Sequence, residues 1–499
     1  MVMVSVVVIL VVNQENLGLH DLADLRQPAS LLYVLRGKPV SEVTLLSCRC
    51  SMHPWPGTTH IATIMNQSLP WLNYTTTRQD LRQRHPNLPL DLLNGPKNRR
   101  CSLLPTLFSI DWSNRYWQRT ILDDNASFFL YSAFLDPETE GKASVRLLGV
   151  SESKAPPPAW CHLWFHADAP PLSVRVATVD YLDYQGRNGG RQMPYLLQCP
   201  LPPNASDAPL AVSLTTQPCG HASNLLRVIG GRQREVSAYR SRKVPDNPTT
   251  MVKGWAAAVC GSALFYYHED FSARLVEWVE VMRAQGFSQV FLYVTDVHPN
   301  ITKVLRHYVH EGFVEVTDYS YPPPYLNDPT LRRLWTLVER QKMFAQENVY
   351  FTDCVLRHMH QYRFIAHYDP DEVPILPEHH NFTHFLDDLI ASVKGPAPPG
   401  YKLQWAYFFD NVAPSEEAAG LPAFLWMLRH TGRQASHFER QCGYGKIKAV
   451  SPKMAFLGHF KHTCDKNCDN ETVHDLTLHK YKEQVAVKVQ RVLSDLQLL

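Results

Sequence analysis

Phe364-Ile365-Ala366-His367-Tyr368-Asp369-Pro370-Asp371-Glu372 is the stretch on which the reading of this chain turns. Its first five residues are a short apolar run, the pattern of a buried strand. Two carboxylates one residue apart close that run. In open α/β sheets, ligands collect at the carboxyl ends of strands. A divalent cation held there by one or two carboxylates keeps positions free for phosphate oxygens. An Asp-x-Asp at such a place suits a nucleotide-sugar site. Asp-Pro-Asp is also an ordinary turn sequence, so the surrounding pattern has to decide.

Outward from this stretch, strands and helices alternate. Ala256 to Tyr266 is apolar and strand-like. Leu275, Trp278, Val279 and Met282 fall at helical spacing, with Gly286 placed as a stop. Val290 to Val294 reads as a buried strand. Ile301, Val304, Leu305 and Tyr308 mark a second helix, stopped at Gly312, and Phe313 to Val316 a third strand. Phe351, Cys354, Val355 and Met359 mark the helix feeding the strand that ends at Asp369. This rhythm predicts an α/β domain with a mainly parallel sheet over residues 251–499. The Asp-x-Asp then sits where a nucleotide site is expected.

The N-terminal half reads differently. Residues 111–243 contain short β-rich runs separated by Pro, Gly and Asn clusters, including Pro156-Pro157-Pro158 and Pro202-Pro203-Asn204. They predict a sandwich-like accessory domain, joined through a linker at residues 244–250. Residues 13–110 have weak periodicity and read as a stem and irregular lead-in. Met1 to Val12 is an apolar run, shorter than the ~18–20 residues that span a bilayer. It reads either as a truncated signal anchor or as a buried strand.

At 499 residues, two domains are the natural expectation. A formal net charge of +2 gives no reason to expect nucleic acid. Seven Asn-x-Ser/Thr sequons, at Asn66, Asn73, Asn125, Asn204, Asn300, Asn381 and Asn470, together favour the secretory pathway. Asn300 at a helix start and Asn381 after a loop are expected to face solvent. Eleven Cys agree with an oxidising compartment. Cys199 and Cys219, which bound a loop, are one candidate disulfide.

The stretch from about Val259 to Tyr481 resembles glycosyltransferase family 92, once catalogued as a domain of unknown function. The resemblance is carried by Arg274-Leu275-Val276-Glu277-Trp278-Val279-Glu280 and by Gly286-Phe287 leading to Val290-Phe291-Leu292-Tyr293. It continues in Thr352-Asp353-Cys354-Val355-Leu356, in the Asp-x-Asp-Glu followed by Pro374, and upstream in Tyr131-Ser132-Ala133-Phe134. The sequence departs from the family pattern at His479-Lys480-Tyr481-Lys482 and in its short N-terminal run. The resemblance implies a GT-A catalytic domain in a single-pass type II Golgi membrane enzyme with its catalytic domain in the lumen, secreted if the anchor is absent. It also implies inverting transfer of galactose from UDP-galactose to a glycan on a glycoprotein or glycolipid.

The chemistry needs a cation on the leaving diphosphate. Asp371 is the first candidate ligand. Asp369 is a ligand through water or a ribose partner, and Asp296 a further candidate for the nucleotide. Oxygen ligands suit Mn²⁺ or Mg²⁺ better than Zn²⁺. Glu372 is a supporting partner or a surface carboxylate. His459 and His479 are candidates for an added His ligand. Inversion requires a general base at the acceptor hydroxyl, for which Asp410, Glu416 and Glu417 are candidates. Trp405, Tyr407 and Trp426 could stack on a sugar or belong to the core. His459, His462, Cys464 and Cys468 form a looser zinc-like cluster in competition with Cys pairing. Two rival readings stay open: a GT-A transferase using another UDP-sugar, and a secreted glycan-binding protein with a degenerate catalytic domain.

Overall fold

A computed structural model describes residues 8–11, 45–48, 81–93, 102–123, 126–139, 142–182, 192–202, 207–230, 257–393, 395, 398, 400–409, 416–435, 447–461 and 473–499. All five residues of the strand Phe364–Tyr368 are buried, as a continuous apolar run between two packed faces requires. It pairs in parallel with Ala257–Leu264, which pairs in parallel with Gln289–Val294, and that strand with Val314–Asp318. The helices Ser272–Ala284 and Pro299–His310 make the first two crossovers. The helix Pro299–His310 starts at a Pro that needs no N–H partner and buries Ile301, Val304, Leu305 and Tyr308 on one face. The helices Pro329–Val338 and Arg340–His358 carry the chain back to the other side of Ala257–Leu264. Strand order therefore reverses between Ala257–Leu264 and Phe364–Tyr368, and Asp369 lies at that switch point.

The parallel order stops there, so the sheet is mixed rather than mainly parallel. The strand Val8–Val11 runs antiparallel to both Phe364–Tyr368 and Gly400–Lys402, and Gly400–Lys402 pairs in parallel with Lys448–Ala449. Of the two readings of the N-terminal run, the structure shows a strand over Val8–Val11. Among the described residues, no helix is long and apolar enough to cross a membrane. The Asp-Pro-Asp turn is too short for a parallel crossover. It instead sends Glu372–Ile375 into a second, five-stranded sheet, where it pairs antiparallel with Phe456–Lys461. Phe456–Lys461 in turn lies parallel to Trp405–Phe409. The helix Ser272–Ala284 packs into one core with both sheets, through Leu275, Trp278, Val279, Phe408 and Phe460.

The strands from Leu45–Ser47 to Leu226–Ile229 form a separate ten-stranded sheet. It gathers Phe128, Leu130, Leu147, Leu163, Leu197, Val212 and Leu214 into one core. Part of the segment read as a stem belongs to this unit. Leu45–Ser47 pairs with Leu172–Arg175, and Leu88, Leu92, Leu103 and Ile110 pack against Trp164 and Leu225. Apolar residues spaced without helical or strand period gave no sequence signal for that packing. The two halves also share a core. Trp117, Tyr131, Phe134 and Leu148 of the β-rich unit meet Phe291, Tyr293, Tyr319, Tyr321 and Tyr350 in one aromatic layer. Trp117 Nε1 donates to the Ser320 carbonyl at 2.7 Å, and Gln346 Nε2 donates to that of Gln192 at 2.8 Å.

Cys199 does not pair with Cys219. Among the described residues, the disulfides are Cys48–Cys219, Cys161–Cys199 and Cys260–Cys354. Cys161 and Cys199 approach across the sheet core with Cα atoms 6.0 Å apart, a proximity that sequence spacing does not encode. The sequons at Asn66, Asn73, Asn125, Asn204 and Asn470 lie outside the described residues, as does the 244–250 linker. Neither remaining sequon Asn stands free in solvent. Asn300 is half-buried and donates from Nδ2 to Asp270 at 2.6 Å. Asn381 caps the helix Phe382–Ala391 by accepting from the Thr383 N–H at 2.8 Å.

Gly286 is the glycine that this architecture cannot replace. It ends its helix at φ +87°, and a Cβ there would lie 2.2 Å from Asn381 Nδ2. Gly286→Ala should therefore add left-handed strain and displace a helix cap. We expect a loss of about 2–3 kcal/mol in stability, read as a lower urea midpoint at unchanged m-value.

Candidate active site

The Asp369-Pro370-Asp371-Glu372 turn is held from several sides. The Glu372 N–H donates to the Asp369 carbonyl at 2.9 Å, and the Glu372 carboxylate accepts from the Asp369 N–H at 3.1 Å. Trp278 Nε1 donates to the Glu372 carbonyl at 2.8 Å. The Phe460 N–H donates to the Asp371 carbonyl at 2.9 Å. In the second sheet Glu372 stands opposite His459. The register brings His459 Nε2 to 3.2 Å from Asp371 Oδ2, and places Nδ1 3.6 Å from Glu372 Oε1. The Trp405 and Tyr407 rings flank His459 at 5.4 and 5.5 Å.

Negative charge is concentrated here. Burial, then the Asp371 charge, push Asp369 up to about 6, against the pull of His459 and of the Ser262 hydroxyl. Burial, then Asp369 and Asp371, hold Glu372 well above the usual carboxylate range. Glu347, on the helix Arg340–His358, is raised by burial and by Asp369. Glu372 Oε1 is buried without a hydrogen-bond partner. Such a group of carboxylates is costly alone and is relieved by a cation. The neighbouring Asp371 Oδ2 and His459 Nε2 fit two adjoining positions on one hard ion. Among the described residues, no group of three or more His, Cys, Asp or Glu side chains converges on one ion position. The protein would thus supply few ligands and leave the others to substrate and water, the usual habit of Mg²⁺-like sites.

Residues 256–494 match the family described as Glycosyltransferase family 92. The chain carries a glycosyltransferase family 92 domain. Comparison with curated proteins returned no match. The family supports glycosyl transfer as the activity, with a nucleotide-sugar donor and a glycan acceptor.

Within the family 92 domain, Asp369, Asp371, Glu372 and His459 come together. His479 does not take the place of His459. Its Nε2 lies 2.8 Å from the Leu428 carbonyl. Asp296, at the end of Gln289–Val294, pairs with the buried Arg332 at 3.0 Å. Glu416 and Glu417 stand exposed on the short helix Glu416–Ala419. Asp410, His462, Cys464 and Cys468 lie outside the described residues. Glu347 and Tyr266 were missed by sequence reasoning. Tyr266, raised by burial and by Asp371 and Asp369, lies two residues past the strand Ala257–Leu264. Glu347 carried a faint signal: it shares a helix face with Tyr350 and Cys354, which are buried.

The raised carboxylates fix a pH dependence. Asp369 binds its proton more tightly in the folded chain than in the unfolded one. Its stabilising contribution is full below pH ~4 and is lost as pH rises through about 6. In chelator, the melting temperature should therefore fall as pH rises from 5 to 7, and Asp369→Asn should flatten that slope. Added Mn²⁺ at pH 7 should restore the loss by binding only the folded state. Differential scanning fluorimetry in EDTA and in Mn²⁺ reads both effects.

Proposed function

We propose that the protein is a metal-dependent, inverting galactosyltransferase that moves galactose from UDP-galactose to a glycan acceptor. The observation that carries the metal and donor site is the Asp371–His459 pair, set at the topological switch of the parallel strands. Galactose and inversion rest on the family resemblance. Asp371 and His459 would hold Mn²⁺ or Mg²⁺, and Asp369 would hold the ribose or a metal-bound water. A cation held there would neutralise charge on the departing diphosphate. Glu372 keeps the turn in shape through its bond to the Asp369 N–H. Asp410, the residue after Trp405–Phe409, is our candidate for taking the acceptor proton. A lumenal setting in the secretory pathway is our reading of the sequons, and its placement in the Golgi rests on the family resemblance. The three disulfides suit an oxidising lumen.

A hydrolysis screen across UDP-sugars tests this directly. UDP-galactose should be cleaved fastest, with Mn²⁺ required and EDTA abolishing turnover. A faster alternative sugar would reassign the donor. Absence of any Mn²⁺-dependent UDP binding would favour a glycan-binding protein instead.

A further inference from the structure

The Glu277-Trp278 pair takes no part in the donor chemistry, yet both side chains are fully buried. Adjacent helical residues point about 100° apart, and each of these two reaches a different side of the site. Trp278 holds the acid turn through the Glu372 carbonyl. Glu277 accepts from the Met427 N–H at 2.8 Å and the Leu428 N–H at 3.0 Å, and the Trp426 N–H joins them. It thereby caps the four-residue turn Trp426–Arg429, which is too short to hold itself. A surface Ser or Asn could cap such a turn. A carboxylate buried in the core is a costlier device: burial pushes Glu277 up to about 7, against the pull of these amides and Arg274. What the turn carries accounts for that cost. The Arg274 guanidinium lies 4.0 Å over the Trp426 ring. That ring is 5.9 Å from Phe460, whose N–H binds the Asp371 carbonyl. Arg274 and Asp371 both act electrostatically on the Tyr266 hydroxyl.

We propose that Glu277 is a positioning residue for the transfer, fixing the Trp426 indole and Arg274 as a wall beside the acid turn on which a pyranose acceptor stacks. The inference rests on the functional reading above. An indole offers an apolar face to the C–H face of a sugar, and the Arg274 guanidinium stacked on the opposite face holds the ring in place.

In Glu277→Gln, an NH₂ replaces one of two oxygens that face amide donors. Hydrogen exchange at residues 426–428 should rise about tenfold, with exchange at residues 372–375 unchanged. Transfer from UDP-galactose to the best acceptor in a panel of p-nitrophenyl glycosides should show an acceptor KM raised about tenfold. Mn²⁺-dependent UDP binding should stay within about twofold of wild type. Trp426→Leu should raise the acceptor KM similarly, and the double variant should be no worse than Trp426→Leu alone. Unmoved exchange at 426–428, or additive effects in the double variant, would overturn the proposal. If Glu277→Gln does not fold, Trp426→Leu decides alone: an unchanged acceptor KM refutes the wall. Absent UDP binding in wild type would instead refute the donor site, so the two failures are distinct.

Discussion

Asp371→Asn should lower glycosyl transfer by on the order of a thousandfold while leaving the melting temperature in EDTA within about 2 °C of wild type. The side chain is partly exposed, so the exchange creates no buried orphan. What it loses is charge where the proposed cation would sit. A neutral amide oxygen is a far weaker partner for a divalent ion than a carboxylate, and the Asp371–His459 edge is half gone. Raising Mn²⁺ should recover part of the rate. Steady-state transfer across a Mn²⁺ titration measures this. Wild-type turnover with unaltered metal dependence would sink the assignment.

Trp278→Ala should give the largest loss of stability of any single change near the site. The side chain is fully enclosed between the two sheets of the domain. Removing a buried Trp costs about 3–5 kcal/mol in lost burial and cavity. The Glu372 carbonyl also loses its indole donor, and orphaning a buried acceptor costs a further ~1–3 kcal/mol. Against a typical total of about 5–15 kcal/mol, the variant should melt at least ~10 °C lower. Trp278→Phe keeps most of the volume and removes only the N–H. It should fold, but with a looser acid turn and weaker Mn²⁺-dependent UDP binding. Thermal melts with UDP titration separate the two effects.

The sequence told of the first sheet more than of the second. Phe364–Tyr368 could be read because a five-residue apolar run ending in Asp-x-Asp has one economical placement. Gly286 and Gly312 could be read as stops because a left-handed residue after a helix favours glycine, and both have positive φ. The site was legible on the chain segment that carries both Asp369 and Asp371, with His459 open only as one of two candidate histidines. His459 arrives from 88 residues away through the pairing of Glu372–Ile375 with Phe456–Lys461. Local periodicity contains nothing of that register. Glu277 was visible only as one letter of a motif, since a buried carboxylate has no pattern apart from the partners that satisfy it. The Cys161–Cys199 pairing was hidden for the same reason: it depends on how a large sheet curls.

The aromatic layer between the halves bears on how this enzyme can be handled. A fragment trimmed to residues 256–494 would strip Trp117, Tyr131, Phe134 and Leu148 from Phe291, Tyr293 and Tyr350. The family boundary would then become a bare apolar surface of the kind that drives self-association. The glycosyltransferase domain is one by descent; as a soluble object it includes the β-rich unit. Expression should be planned on the whole, with the trimmed fragment recovered from inclusion bodies.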